Sequence, residues 1–206
     1  MPNQTVRVWD PVIRIFHWGL VAGVAVAWLT ADEWDDLHAV AGYVVAGLLA
    51  VRLIWGLVGS HYARFTQFLC RPSTVIGYIR DMTSGRERRY IGHNPAAAAM
   101  IVALLLTLAG TAFTGWLLEN PLRMAALPEM PQIVAPAFAD DDGYGEYGEG
   151  GEEIVEDLHE LLANGLLFLI ALHVGGVILA SVRHRENLTR AMVTGDKRAP
   201  EDGDVA

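Results

Sequence analysis

Asp157 to Gly176 reads DLHELLANGLLFLIALHVGG, and the chain stays apolar from Leu161 to Val182. That is close to the roughly 20 residues a helix needs to cross a bilayer core. A histidine stands near each end of the stretch, His159 and His173, fourteen positions apart. At about 100° per residue, fourteen steps come within roughly 40° of whole turns, so both imidazoles lie on much the same helix face. A rise of about 1.5 Å per residue separates them by ~21 Å. An imidazole inside hydrocarbon is unfavourable unless it faces other helices and finds a partner there. The stretch therefore calls for further spans with polar groups at two matching depths.

Three more spans are present. Val12–Thr30, Ala39–Val58 and Pro95–Leu118 are apolar, and with Leu161–Val182 they contain only Arg14, near the start of the first, and Arg52 among Asp, Glu, Lys and Arg. The mean hydropathy of +0.29 and 52% hydrophobic content suit four transmembrane helices rather than a soluble domain. The first span is too long for a cleavable signal peptide and lacks a small-residue cleavage site. Cys70 is the one cysteine. It excludes an internal disulfide, an iron–sulfur cluster, a Cys-rich zinc site and, with no CxxCH, a covalent c-type haem. No Walker A, GxGxxG or HExxH pattern occurs, and no nucleic-acid partner is expected.

Charge sets the expected orientation. Arg7 and Arg14 stand at the first span's entry, six arginines lie between the second and third spans, and five basic residues follow the fourth. The loop ADEWDD after the first span is acidic, and only Arg123 is basic in the loop before the fourth. The positive-inside rule places both termini in the cytoplasm, as an even number of spans requires. A bacterial inner (cytoplasmic) membrane location follows.

This topology gives each histidine a depth. His17 enters with the first span from the inside, and His38 enters with the second from the outside. His38 and His159 thus share the outer level, and His17 and His173 the inner one. Two pairs of imidazoles at two depths suit axial ligation of two haem irons, held without covalent attachment as b-type haem. Zinc needs four ligands close together, and pairs about 21 Å apart do not supply them. Arg52, fourteen residues after His38, falls at the inner level, where a buried guanidinium needs an anion. A haem propionate is one candidate, and snorkelling to headgroups is the other. Arg14, one turn before His17, is a second propionate candidate or a surface arginine. His61, His93 and His184 sit at the inner membrane edge. His93 is the candidate to hydrogen-bond a quinone. Gly42, Gly47, Gly165, Gly175 and Gly176 would admit a macrocycle or, more commonly, a neighbouring helix.

The expected organisation is one membrane domain over 1–195, with helices at about 12–30, 39–58, 95–118 and 159–182. Ser73–Met82 reads as a short interfacial helix capped by Ser73. An acidic outer loop spans 119–157, and a polar tail over 196–206 reads as disordered. Of 24 acidic residues, ten fall between Asp140 and Glu160, where no Lys or Arg occurs. That block reads as a solvated loop or as a docking surface for a basic redox partner such as a c-type cytochrome.

Five runs carry a family likeness: VRVWDPVIRIFHW from Val6, DLHAVAGYVV from Asp36, RLIWGLVGSHYARF from Arg52, GHNPAAAAMIVALLL from Gly92 and DLHELLANGLLFLIALHVGGV from Asp157. Together they resemble the bacterial cytochrome b561 family, which includes the cytochrome b subunits of nickel–iron hydrogenases and is related to the formate dehydrogenase gamma subunit. The likeness covers about residues 6–118 and 155–195. It implies an all-α membrane protein, a four-helix bundle with two b haems stacked across the bilayer, ligated by His17, His38, His159 and His173. It also implies electron transfer between the quinone pool and a partner redox protein. The outer loop departs from the family in length and acidity, and His61 stands where many relatives carry a basic residue. The alternative reading is a haem-bearing membrane-anchor subunit of a respiratory hydrogenase or reductase complex, docked to a soluble redox enzyme subunit. A histidine-based proton relay in a transporter is a third. The sequence leaves a homodimer open.

Overall fold

A computed structural model describes residues 4–124 and 149–205. The chain opens with a short strand, β1 (Thr5–Arg7), and then forms α1 (Pro11–Thr30). Pro11 occupies the first helical turn, and the Asp10 carboxylate accepts the Ile13 N–H at 3.1 Å, so helix entry is encoded locally. The same carboxylate accepts the Trp55 indole N–H and the Ser60 hydroxyl, which ties the start of α1 to the end of α2 (Asp35–Val58). Two single-turn helices, His61–Ala63 and Phe65–Gln67, lead to α3 (Pro72–Thr83). Here the cap is Arg71 and Ser73 lies inside the helix, because Pro72 takes the first helical position. Asn94 caps α4 (Pro95–Leu118) by accepting the Ala97 N–H at 2.8 Å. A four-residue helix, α5 (Pro121–Met124), follows.

The fourth span differs from expectation. α6 runs unbroken from Glu149 to Arg183, 35 residues, so the stretch 149–157 is helix rather than loop. Its length is about 52 Å against a hydrocarbon core of about 30 Å. Acidic residues near its start, such as Glu152 and Glu153, suit the positive end of the helix dipole. The rest of the expected acidic loop, 125–148, lies outside the described residues.

Four helices, α1, α2, α4 and α6, are long and apolar enough to cross a membrane. α1 packs on α2, α4 packs on α6, and α2 joins α4. Close approach occurs where Gly19 and Gly23 meet Leu48 and Val45, and where Gly110 meets Leu162. At the five glycines singled out in the sequence, no neighbouring atom among the described residues lies within 4 Å of where a Cβ would stand. Val45, Leu49, Leu108 and Leu166 form the buried middle of the bundle, with Leu20 and Val24 packed on it. Outward residues such as Leu57, Leu106 and Phe168 stay exposed, as a lipid-facing surface requires.

After α6 the chain folds back. α7 (Leu188–Thr194) is capped by Asn187 and stops at Gly195, whose φ of 91° is left-handed. The Gly195 carbonyl accepts the N–H groups of Val8 and Trp9. The tail expected to be disordered is ordered instead. β2 (Asp196–Arg198) pairs antiparallel with β1, and Val205 exchanges backbone hydrogen bonds with Arg89 and Ile91. Charge pairing explains this. Arg89 and Lys197, each about 5% exposed by side chain, meet Glu186, while Arg89 also binds Asp204. The polar tail is therefore held by partners about a hundred residues away, which local composition does not reveal.

Candidate functional site

The spans converge four histidines in two pairs. The His17 ring of α1 lies 6.5 Å, centroid to centroid, from His173 of α6, at the end of the bundle that carries the termini. At the far end, His38 of α2 lies 6.1 Å from His159 of α6. Neither separation is a stacking contact, and the rings are tilted by 52° and 74°. Two metal–nitrogen bonds of about 2 Å, with about 1 Å more to each ring centre, span ~6 Å. Each pair is thus spaced to hold one metal between its rings. The helices carrying each pair are not packed directly on one another, since α6 packs chiefly on α4 and α1 chiefly on α2. Among the described residues no third His, Cys, Asp or Glu joins either pair. Two imidazoles at this spacing would suit a macrocycle that supplies the remaining ligands.

The far pair is oriented by hydrogen bonds. His38 Nδ1 lies 2.8 Å from the Ala27 carbonyl, which only accepts. Nδ1 therefore carries the proton and Nε2 keeps its lone pair. His159 Nδ1 lies 2.9 Å from the Thr114 hydroxyl of α4. A Cβ on the neighbouring Gly115 would sit 3.0 Å from His159 Cε1, so α4 lies against the ring here. At the other pair, His17 Nδ1 is buried with no partner among the described residues. Thr114, Gly115 and the Ala27 carbonyl were not legible in the sequence. A threonine or glycine in an apolar span has commoner uses in helix packing.

Arg52 is 4% exposed, inside the bundle. Its guanidinium lies over Phe65 at 4.7 Å, and its Nη1 has no hydrogen-bond partner among the described residues. Arg14 donates through Nη1 to the Val193 carbonyl, docking α7 on α1, and its Nε is buried with no partner among the described residues. His93 precedes α4 and packs between Trp9, at 4.6 Å, and Phe68, at 4.7 Å. Burial first, then the Arg52 and Lys197 cations, push its imidazole down to about 3, so it is neutral at physiological pH. It lines a cavity of about 250 Å³ with His61, Tyr62, Gln67 and Tyr90, and Val205 of the tail forms part of the wall. His184 lies at the end of α6, away from this cavity lining.

Four apolar spans that bring two histidine pairs together at two depths describe a membrane b-type cytochrome. The chain belongs to the prokaryotic cytochrome b561 family, whose profile matches residues 8–195. Haem b is the cofactor this family implies, and the chain is a multi-pass membrane protein. It is 22% identical over 226 residues to a probable Ni/Fe-hydrogenase B-type cytochrome subunit of Bradyrhizobium diazoefficiens, covering 95% of this chain and 87% of that one. It is 26% identical over 170 residues to the protein of the same description from Cupriavidus necator, covering 77% of this chain and 64% of that one. No solved structure matches it significantly.

Proposed function

We propose that the chain is a transmembrane dihaem cytochrome b that passes electrons between the quinone pool and a partner redox protein. The observation that carries this reading is the pair of facing imidazole couples, 6.5 Å and 6.1 Å apart, at opposite ends of one apolar bundle. His17 and His173 would hold the inner haem, and His38 and His159 the outer one. Haem b, held by these histidines, would supply a one-electron iron couple. The chain positions those imidazoles, keeps water out with the Val45–Leu49–Leu108–Leu166 layer, and sets the local charge. The unpartnered Arg52 Nη1 would pair with a propionate, with the Arg14 Nε as second donor. The basic segments support a bacterial inner membrane with both termini in the cytoplasm.

The cavity beside His93 would take the quinone headgroup. A neutral imidazole between two aromatic rings, with no hydrogen bond of its own among the described residues, is suited to a quinone carbonyl. Tyr62, Gln67 and Tyr90 add polar groups around it. A second reading rests on the relatives, both described as hydrogenase cytochrome subunits. In that reading the chain is a haem-bearing anchor for a soluble redox enzyme. The acidic block Asp140–Glu160, which runs into the first turns of α6, would then meet that enzyme, or a c-type cytochrome.

The test is haem stoichiometry. Purified protein should give two haems per chain by pyridine haemochrome, and His38→Ala and His17→Ala should each give one. Two haems remaining in either variant would sink the assignment. Quinol should reduce the haems in membranes, and co-purification of a large soluble subunit would favour the anchor reading.

A further inference from the structure

The two histidine couples are not equivalent, and the difference lies on a helix that carries no histidine of either couple. Thr114 of α4 is 4% exposed. Its Oγ1 lies 3.0 Å from the Gly110 carbonyl and 3.0 Å from the Thr111 carbonyl, which only accept, so the hydroxyl hydrogen goes to them. The oxygen's lone pairs are then left for the third neighbour, His159 Nδ1, at 2.9 Å. That makes His159 the Nδ1–H tautomer with its Nε2 lone pair free. His38 is fixed in the same tautomer by the Ala27 carbonyl, which belongs to the last turn of α1 where helix carbonyls lack intrahelical partners. The neighbouring Gly115 lets the α4 backbone come near enough for this contact. At the opposite couple, His17 Nδ1 meets no such acceptor among the described residues.

We propose that Thr114 is a positioning residue for the outer haem: its hydroxyl accepts the His159 Nδ1–H, aims Nε2 at the site shared with His38, and lowers the reduction potential there. The proposal rests on reading His38 and His159 as axial ligands. The physical cause is ligand basicity. An imidazole that donates from Nδ1 is a stronger donor at Nε2, which favours the ferric state. With both outer imidazoles donating and His17 not, the outer haem is the lower-potential one. Electrons then run downhill from the outer couple to the inner one.

The test is a spectroscopic redox titration of purified Thr114→Val and Thr114→Ser beside the parent. His38→Ala identifies which wave belongs to the outer haem. Valine keeps the shape and removes the hydroxyl, which leaves only the Thr111 carbonyl beside the His159 N–H, whereas serine keeps the hydroxyl. The ferric-to-ferrous ratio of the outer haem at fixed potential should fall about two- to tenfold in Thr114→Val, the range spanned by one ordinary hydrogen bond. Tenfold corresponds to about 59 mV for one electron. Thr114→Ser should stay near the parent, and the inner wave should not move. Loss of the outer haem in Thr114→Val but not in Thr114→Ser would support the same role. An unmoved outer wave with both haems retained overturns the proposal while leaving the ligand reading intact, as does equal loss in both variants. If His38→Ala removes no haem, it is the ligand reading that fails.

Discussion

Arg89 and Glu186 meet in a two-point ion pair, Nη2 to Oε1 at 2.9 Å and Nε to Oε2 at 3.2 Å, across 97 positions of sequence. The pair joins the segment before α4 to the turn after α6. Asp204 and Arg198 attach the tail to the same guanidinium. One arginine thus closes the terminal end of the bundle.

The clasp should weaken in acid. Burial alone would raise the Glu186 carboxyl, but the Arg89 hydrogen bond and the Lys197 charge outweigh it and hold it below its ordinary value. Asp204 is also lowered: burial works against this, and bonds from the Glu201 N–H and Arg89 prevail. Both carboxyls take up protons more readily once the tail is released. The stabilisation is therefore complete above their unfolded values near about 4 and is lost as pH falls through the depressed folded values. Amide exchange over residues 196–205 should be slow and flat from neutral pH to about 5, and should quicken below about 4 after correction for intrinsic rates. Arg89→Met leaves two acids without their partner, a change of about 3–5 kcal/mol for a buried pair, and should expose the tail at neutral pH. A tail equally protected in that variant would count against the clasp.

Gly115→Ala should damage the outer site. Its new methyl meets His159 Cε1 at 3.0 Å, and overpacking of this kind costs about 1–3 kcal/mol. The expected result is loss or weakening of one haem, with the inner wave of a redox titration unchanged. Gly77→Ala in α3 is the control, since among the described residues nothing lies within 4 Å of a Cβ there and α3 carries no histidine of either pair. Equal haem content in both variants would contradict this picture.

Arg52→Met removes a buried cation from the inner half of the bundle. A positive charge favours the ferrous state, so the inner potential should fall, and Arg52→Lys should retain much of it. The readout is the inner wave alone. A shift confined to the outer haem would place Arg52 in the wrong role.

His93→Ala should slow quinol-driven reduction about two- to tenfold, the range of one ordinary hydrogen bond, while leaving haem content unchanged. Because His93 is held neutral, with its value near 3, the parent rate should show no inflection from this group between pH 5 and 8. Unaltered quinol reduction in His93→Ala would remove the quinone from this cavity.

The four spans and the depth of each histidine were readable because hydrocarbon is a severe filter. An imidazole there must have a reason, and fourteen-residue spacing puts two reasons on one helix. The caps Asp10 and Asn94, each followed by proline, are the local cause that made the starts of α1 and α4 readable to within one residue. Thr114 was not, because its hydroxyl also makes the ordinary bonds to its own helix that any buried threonine makes. The ordered tail was hidden too. Its stability comes from Arg89 and Glu186, and composition near residue 200 carries no trace of them. The glycines show the limit of pattern alone. Gly19, Gly23, Gly110 and Gly115 make the close contacts, yet nothing in the sequence separates them from Gly42 or Gly165.

α6 contributes one histidine to each couple, and it is unbroken between them. The covalent rise of a single helix therefore acts as a ruler between the two sites. Tilting or breathing of α1 and α2 alters how firmly each ring is met from across the gap. It leaves the interval along α6 untouched, so the spacing survives any rearrangement that keeps this one rod intact.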